Sequence, residues 1–368
     1  MKVLHLLDSV NRGGAETQVL DVCRNAARFG LEMTLVAAGG GVMEDEFRNS
    51  GAEYVRLDRK LPIDPMFARR LKSLILERGI EVVHGYQAVE GIHLYLATRG
   101  LRNVRTVLSF QGFVPGTKNR LATPLIAPLM DANISVSRSL MNYLRDEVGL
   151  KGFGNFHVVY NGADEQRLAS SGRSIKQELG LADGVLLGAM VANFVADPTK
   201  DQLTICRALP HVVKQLPNLH FLFVGRVSAG AESMVEECRS ACEEAASNVH
   251  FLGARTDVAD ILAELDLFVF SSRREGFPVA ISEAMLAGVP MIVSDIEPLI
   301  EATANGEYAE IFPVGDADVL ARKISGLLND EARRNDLSER ARQFARENFS
   351  IDAHLAGLKE LYASVRKS

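Results

Sequence analysis

Continuous apolar runs alternate with amphipathic stretches along the whole chain. KVLHLLD reads as a buried strand, and GAETQVLDVCRNAARFG as an amphipathic helix stopped by Gly30. LEMTLVAAG is the next strand. The alternation continues through EYVRL, a helix near 65–78, EVVHGY, RTVLSF, ANISVS and HVVYNG. Ser137 is the expected N-cap of the helix SRSLMNYLRDEVG. Apolar strands separated by helices predict a parallel sheet covered on both faces.

The rhythm pauses at VYNGADEQRLASSGRSIKQELGLADG, which is polar, turn-rich and hinge-like, and then restarts at VLLGAMVA. A second series follows: a helix near 199–215, HFLFVG, a helix over 231–246, VHFLG, a helix over 257–265, LFVFSS, a helix over 279–287, and MIVSD. The tail, near 330–366, is helical and polar. The expected fold class is α/β, with two doubly wound, Rossmann-like parallel-sheet domains. The expected division is 1–165, then 166–350, then a C-terminal helix over 351–368 that packs back on the first domain. A length of 368 residues fits two domains. Tandem open sheets of this kind would turn the carboxyl ends of their strands, and so their ligand sites, toward a shared cleft.

Composition and charge add to the picture. The mixture is 47% hydrophobic and 24% charged, ordinary for a globular chain, and no run of about 18 apolar residues suggests a membrane span. The opening MKVLHLLDSV reaches Asp8 quickly and reads as a strand rather than a leader. Cys23, Cys206, Cys238 and Cys242 lack metal-ligand spacing and read as reduced cytosolic thiols. The net charge of −6 is uneven: residues 1–160 hold 20 Lys/Arg against 16 Asp/Glu, and the remainder 21 against 31. Residues 91–130 hold Arg99, Arg102, Arg105, Lys118 and Arg120 and no acidic residue, with Phe110, Phe113, Val114 and Leu121 between them. That stretch suits anionic lipid headgroups or an anionic acceptor; a solvated basic face beside a core strand fits it as well. The acidic balance argues against nucleic-acid binding.

The stretch REGFPVAISEAMLAG, residues 274–288, carries the densest candidate chemistry. It follows the strand LFVFSS, so its first residues form the loop at a strand's carboxyl end. Pro278 suits the first turn of a helix. Glu275 then lies in the loop and Glu283 inside the helix. The N–H groups of Gly276, Phe277 and Val279 would face a ligand, and a helix N-terminus favours phosphate. A carboxylate accepts two hydroxyls at once, which suits the vicinal diols of sugar and ribose. An anion site between two diol readers describes a sugar nucleotide. Helix capping with solvent exposure is the simpler alternative.

In the form SSRREGFPVAISEAMLAGVPMIVSD, this segment resembles the E-x7-E signature of retaining glycosyltransferase family 4, which has the GT-B fold. SVNRGGAETQVLDVCRNAARFG is similar to the family's Gly-Gly-x-Glu loop and first helix. VVYNGAD resembles its inter-domain turn, and LLGAMVANFVADPTKDQLTICRAL the strand, phosphate loop and helix of its second domain. VHFLGARTDVADILAELDLFVFSS is similar to the segment before the two glutamates.

The resemblance implies roles. Glu275 would bind the transferred sugar and Glu283 the ribose, with Gly276, Phe277 and Pro278 lining the sugar and diphosphate pocket. Lys200 would neutralise the diphosphate as charge develops. Gly13 and Gly14 would let backbone approach phosphate or acceptor, and Arg255 with the helix start at 258–261 would lie near the base. Read without the family, Gly13-Gly14 is an ordinary turn and Lys200 a solvated helix-start lysine. The chain departs from the family pattern at three positions. Asn193 stands where a phosphate-loop Arg is common, with Arg273 or Arg274 as replacements. Gln111 stands where a His is common, and Tyr86 replaces a second His beside His84. Gln111 can hydrogen-bond a sugar hydroxyl but cannot act as a base.

The implied activity is metal-independent, retaining hexosyl or N-acetylhexosaminyl transfer. The donor would be a nucleotide-diphosphate sugar such as a UDP- or GDP-sugar, with no further cofactor. The acceptor would be a saccharide or lipid-linked saccharide in surface polysaccharide or lipopolysaccharide synthesis. The implied setting is cytoplasmic, with peripheral contact at the inner membrane face as an option. Two alternatives stay open: a non-catalytic sugar-nucleotide-binding partner in an assembly complex, and a sugar-nucleotide epimerase on the same scaffold. A dinucleotide dehydrogenase would need G-x-G-x-x-G, which SVNRGGAE lacks, and a P-loop NTPase would need Gly-Lys-Ser/Thr, which DPTKDQ lacks.

Overall fold

The computed structural model describes the chain apart from Pro115, residues 151–153, Pro198 and Ser368, and the side chains of Thr117 and Lys118. The chain forms two compact units. The first takes Met1–Ala163 and the C-terminal helix; the second takes Asp164–Ser350.

In the first unit, strands β1 (Lys2–Leu7), β2 (Glu32–Ala37), β3 (Glu53–Arg56), β4 (Val82–Gly85), β5 (Arg105–Phe110), β6 (Ala132–Ser135) and β7 (Phe156–Val158) form one parallel sheet in the order β3-β2-β1-β4-β5-β6-β7. The intervening helices are α1 (Gly14–Asn25), α2 (Glu44–Arg48), α3 (Pro65–Arg78), α4 (Ala88–Thr98), α5 (Gly116–Ile126) and α6 (Arg138–Asp146). Their ends follow from the sequence. Asp64 caps α3 by accepting the N–H groups of Met66 and Phe67, and Gly79 ends it in the left-handed region. Ser137 caps α6 through Leu140 N–H, as expected.

Alternate residues of β1 serve opposite faces, which is what a period of two requires. Val3 joins a cluster with Val22, Val107, Ile134, Leu358 and Tyr362. Leu4 and Leu6 join another with Phe67, Leu71, Ile75 and Leu94.

In the second unit, α7 (Ile175–Glu178) is a single turn inside the hinge-like stretch. Strands β8 (Leu186–Val191), β9 (Leu219–Val224), β10 (Val249–Gly253), β11 (Leu267–Phe270), β12 (Met291–Ser294) and β13 (Glu310–Phe312) pair in parallel in the order β10-β9-β8-β11-β12-β13. The helices are α8 (Gln202–Val213), α9 (Glu232–Ala241), α10 (Val258–Ala263), α11 (Val279–Leu286), α12 (Glu297–Ala302), α13 (Ala317–Leu328) and α14 (Glu331–Asn348). Finally α15 (Ile351–Lys367) returns to the first unit and packs on α1.

Two doubly wound parallel sheets are thus present. The sequence reading missed β13, a three-residue strand only partly buried, and α12 and α13 beside it. The helix expected over 231–246 ends as an α-helix at Ala241 and continues as a 3-10 turn from Glu243 to Asn248. Pro278 is the N-cap of α11, not part of its first turn. The four cysteines are buried free thiols, with Cys206 lying against Cys238 and Cys242. No helix among the described residues is long and apolar enough to cross a membrane.

Candidate functional site

In a doubly wound sheet the strand order reverses at one point, and loops leaving the two strands on either side open a crevice at their carboxyl ends. The reversal lies between β1 and β4 in the first unit and between β8 and β11 in the second. The loops concerned carry the candidate residues: Gly13 follows β1, Tyr86 follows β4, Asn193 and Lys200 follow β8, and the 271–278 loop follows β11.

In the second unit the β8 and β11 loops are stitched together. Asp201 N–H donates to Ser271 O at 3.0 Å and Arg273 N–H to Thr199 O at 2.7 Å. Lys200 and Ser272 form an antiparallel bridge. Ser272 also accepts and donates across to Ser294, its N–H meeting Ser294 Oγ at 2.9 Å. This places the Lys200 ammonium in an ion pair with Glu275 Oε1, over the Phe270 ring with 4.9 Å to its centroid. Ser272 Oγ lies 2.7 Å from the same Glu275 oxygen. Both members of the pair are largely buried, with 21% and 10% of their side chains exposed. A buried pair this well held fixes both side chains in place.

Glu283, one turn into α11, is 8% exposed and pairs with Arg167 Nη2 at 2.7 Å. No side chain caps α11, whose N-cap Pro278 is extended. Gly276 and Pro278 are buried beside this helix start. Phe277 is 3% exposed and packs on Phe349 with ring centroids 4.9 Å apart, so its ring is core and only its backbone faces the loop.

Asn193 is structural as well as well placed. Its Oδ1 accepts Arg226 N–H at 3.0 Å, and Phe194 N–H donates to Arg226 O at 3.0 Å. The loops after β8 and β9 therefore run paired, through the parallel bridge between Phe194 and Val227. Gly225 makes this possible: a Cβ there would meet Ala192 O at 2.1 Å. Arg226 is exposed and forms no ion pair among the described residues. The sequence reading passed over it. Its signal was a lone Arg after the apolar run HFLFVG, at a strand's carboxyl end. Of the two replacements considered for the missing phosphate-loop cation, Arg273 lies 3.4 Å from Asp201, and Arg274 is exposed, as Arg226 is.

Arg255 is committed elsewhere. Its guanidinium spans Glu178 of α7 at 2.6 Å and Asp257 at 2.6 Å, clamping the loop after the edge strand β10. The two hydrogen-bonded carboxylates push the guanidinium pKa up, and Arg255 holds Asp257 below the usual carboxylate range. That clamp is a structural role.

In the first unit, Gln111 lines a cavity of about 230 Å³ with Gln87, Phe110, Phe113, Asn119 and Thr123. Asn161 Nδ2 donates to Gln111 Oε1 at 2.9 Å and orients the amide. Among the described residues, none that lines it is charged. Gly13 is the N-cap of α1 with extended backbone, and Gly14 opens that helix. His84 is no ligand. It is 1% exposed and both ring nitrogens are taken, Nδ1 by Tyr362 OH at 2.6 Å and Nε2 by Ser109 Oγ at 2.6 Å. Tyr362 OH continues to His5 Nε2 at 3.0 Å, and His5 Nδ1 to Tyr86 OH at 2.7 Å. Burial pushes both imidazoles down, His5 to about 3. Each neutral ring offers one donor and one acceptor, so one direction of donation satisfies the whole chain. A larger cavity, about 440 Å³, lies by Ala263, Leu286, Ala287 and Arg342. It sits at the C-terminal end of α11, away from the strand carboxyl ends, and holds none of the candidate residues.

The model of the family described as Glycosyltransferase Family 4 matches residues 12–167, and that described as Glycosyl transferases group 1 matches residues 173–344. The chain is a family 4-type glycosyltransferase with the GT-B fold. Among relatives of this glycosyltransferase, the phosphatidyl-myo-inositol mannosyltransferase of Mycolicibacterium smegmatis is 24% identical over 88% of the chain and 83% of its own length. The N-acetyl-alpha-D-glucosaminyl L-malate synthase of Bacillus anthracis is 25% identical over 83% and 80%. A Campylobacter jejuni N,N'-diacetylbacillosaminyl-diphospho-undecaprenol alpha-1,3-N-acetylgalactosaminyltransferase is 42% identical, over 26% of each chain. The fold matches that of Anabaena HepE, solved with UDP and glucose, at a TM-score of 0.84 and 19% identity, covering 99% of this chain and all of that one.

Proposed function

We propose that this enzyme transfers a hexosyl or N-acetylhexosaminyl group, with retention and without a metal ion, from a nucleoside-diphosphate sugar to a saccharide or lipid-linked saccharide in polysaccharide or glycolipid synthesis. The observation that carries the reading is the Lys200–Glu275 pair, held at the reversal point of the second sheet beside the uncapped start of α11. In this reading the diphosphate lies at the helix start and takes the Lys200 ammonium, which stabilises charge on the leaving group. Glu275 exchanges its lysine for sugar hydroxyls, and Glu283 accepts the ribose diol. Arg226, from the β9 loop, supplies the second cation, with Asn193 fixing its backbone.

The acceptor hydroxyl attacks the anomeric carbon on the face from which the diphosphate leaves. The bond to the diphosphate oxygen breaks, its electron pair stays on that oxygen, and the oxygen takes the acceptor's proton. Gln111, which cannot take a proton, positions the acceptor in the cavity it lines. The UDP held by HepE makes a uridine donor the first to try. The lipid portions named for the Campylobacter and Mycolicibacterium enzymes make a lipid-linked acceptor reasonable.

The test is nucleotide release from UDP- and GDP-sugars with candidate acceptors, with and without EDTA, for the wild type and Glu275→Ala. One donor should be turned over, unaffected by EDTA. The variant should lose at least about 100-fold in kcat, the scale of losing a charge-positioning group, and remain folded, with the loss of turnover far exceeding the stability lost by leaving Lys200 unpaired. Binding without turnover by the wild type would instead favour a non-catalytic partner.

A further inference from the structure

The cavity of about 440 Å³ at the C-terminal end of α11 falls in the size range of small-molecule sites, about 300–1,000 Å³. Every described residue that lines it belongs to the second unit. Ala263 at the end of α10, with Leu286 and Ala287 at the end of α11, gives it an apolar wall. Arg342 and Arg346, one turn apart on α14, give it a cationic one. The turn-rich segment 165–169 completes the lining as a strap. That strap is tied at three points. Arg346 Nε donates to Glu165 at 2.9 Å, and Arg167 pairs with Glu283 of α11 at 2.7 Å. Just beyond it, Ser170 and Ser171 donate to Asp260 of α10 at 2.7 and 2.8 Å.

Arg342 is the group this arrangement leaves unsatisfied. Its Nε is buried without a hydrogen-bond partner, and its guanidinium makes no ion pair, among the described residues. The stem is held against Gly288, where a Cβ would lie 3.4 Å from Arg342 Cδ. A cation beside the end of α11 complements the helix dipole. The dipole accounts for the charge but gives the buried N–H no acceptor, and such a donor is costly to leave unpaired. Arg346 adds a like charge one turn away on the same helix, which is unfavourable in itself. Its partner Glu165 is 42% exposed, and an ion pair so exposed is weak. An oxyanion between the two guanidiniums answers both costs, because the guanidinium fork matches carboxylate and phosphate geometry. The opposite wall then calls for an apolar body on that oxyanion.

We propose that this cavity binds a small organic oxyanion, a phosphate or carboxylate on an apolar body, and that its binding weakens nucleotide binding in the same unit. The oxyanion takes Arg342 and Arg346, and the body fills the space between the strap and the ends of α10 and α11. An occupied cavity holds the strap on α11, and so holds Arg167 on Glu283, which lies three residues before Leu286. A ribose diol has to displace Arg167 from that carboxylate. The two ligands therefore oppose each other, by the same factor in either direction. The cavity site stands without any assumption about the reaction; the opposition rests on Glu283 holding the ribose, as proposed above.

The chain has no Trp, so Gln166→Trp at the exposed rim supplies a sole indole beside the cavity. Its emission is followed against phenyl phosphate, benzoate, inorganic phosphate and benzyl alcohol. At least one of the two aromatic anions should bind about fivefold or more tighter than inorganic phosphate and than the alcohol, since it alone uses both walls. The tighter of the two identifies the headgroup. Arg342→Gln in this background should weaken that anion at least about tenfold, the scale of one charge-assisted hydrogen bond. Ala287→Leu, which fills the cavity from the apolar side, should weaken it as well. Isothermal titration of the wild type with UDP, with and without saturating anion, reads the coupling. The UDP dissociation constant should rise about fivefold, the lower end of such couplings, and should not change in Arg342→Gln. An anion acting at the diphosphate site would compete equally in Arg342→Gln, and that result would overturn the cavity site. An emission change equal for all four probes, or none for any, would overturn it too. Anion binding that both variants weaken, with UDP affinity unmoved, would overturn the coupling. Failure of UDP to bind at all, with the emission titrations intact, would count against the proposed uridine donor and not against the cavity.

Discussion

Glu90 is a carboxyl group that the fold places where it is costly to ionise, and replacing it with glutamine should stabilise the protein in a pH-dependent way. It lies in the first turn of α4, immediately after β4 and at the reversal point of the first sheet. The residue is 5% exposed, and its Oε2 has no hydrogen-bond partner among the described residues. Burial, reinforced by the charge of Asp8, pushes its pKa up to about 7, although Arg59 and the Asp8 N–H oppose the shift. An unfolded glutamate titrates near 4.5. The folded state therefore holds a proton that the unfolded state has released between about pH 4.5 and 7, and stability falls as pH rises through that window. At 1.36 kcal/mol per pKa unit, the ionised carboxylate costs about 3 kcal/mol above pH 7.

Glu90→Gln keeps the shape and the acceptor for Asp8 N–H and removes the charge. It should be more stable than wild type by about 3 kcal/mol near pH 8.5 and by only about 1 kcal/mol near pH 5. Urea unfolding followed by tyrosine emission is a selective assay. The chain has no Trp and seven Tyr, of which all but Tyr308 belong to the first unit. Equal differences at the two pH values would show that the carboxyl titrates normally in the folded protein, and the burial argument would be wrong.

Three further outcomes test other parts of the structure. Arg226→Ala should raise the donor dissociation constant about tenfold, the scale of one charge-assisted hydrogen bond, and isothermal titration with the nucleoside diphosphate checks it. An unchanged affinity removes Arg226 from the diphosphate site. Tyr362→Phe strips the hydroxyl between His5 and His84 and orphans two buried ring nitrogens, so the first unit should lose about 2–4 kcal/mol in urea unfolding. Histidine burial also sets the acid limit, since His5 and His354 are lowered to about 3 and about 4. The unfolded chain protonates them below about pH 6.5 and the folded chain does not. Their contribution is full above that pH and falls by about 1.4 kcal/mol per pH unit per histidine below it; in the Glu90→Gln variant, which removes the opposing carboxyl, unchanged stability between pH 7 and pH 5 would contradict their burial.

The alternation of strands and helices was legible in the sequence because buried parallel strands are continuous apolar runs and the helices between them are amphipathic. Short or half-buried elements such as β13 lack that contrast. The roles of Glu275 and Lys200 came from resemblance, but their pairing could not be read. They are 75 residues apart and meet only because β8 and β11 are neighbours at the sheet's centre. The same limit hid the Tyr362 hydroxyl, which reaches His5 and His84 from the far end of the chain and occupies a ring nitrogen of each. Arg255 looked available because Glu178 of α7, which completes its clamp with the nearby Asp257, lies 77 residues away and becomes a neighbour only through the fold.

The two units also share a device that residue identity does not announce. In each, the loop that follows the neighbour of the reversal-point strand, β2 or β9, holds a glycine that could bear no side chain. A Cβ on Gly225 after β9 would strike Ala192 of the β8 loop, and one on Gly41, beyond β2, would lie 2.2 Å from Val10 C of the β1 loop. Met43 N–H then donates to Val10 O at 3.0 Å, as Ser228 N–H donates to Phe194 O at 2.9 Å. The surrounding sequences, AAGGGVM and FVGRVSA, have little in common beyond the glycine. What they have in common is a requirement of the doubly wound sheet: a ligand loop at the reversal point must be backed by its neighbour, and main chain can approach main chain that closely only where Cβ is missing. Gly14 and the helix start of α11 meet ligands in this reading, but Gly41 and Gly225 hold the loops that carry the rest. A glycine that supports a site from behind is harder to recognise than one that faces it, because its only signature is a contact with backbone distant in sequence.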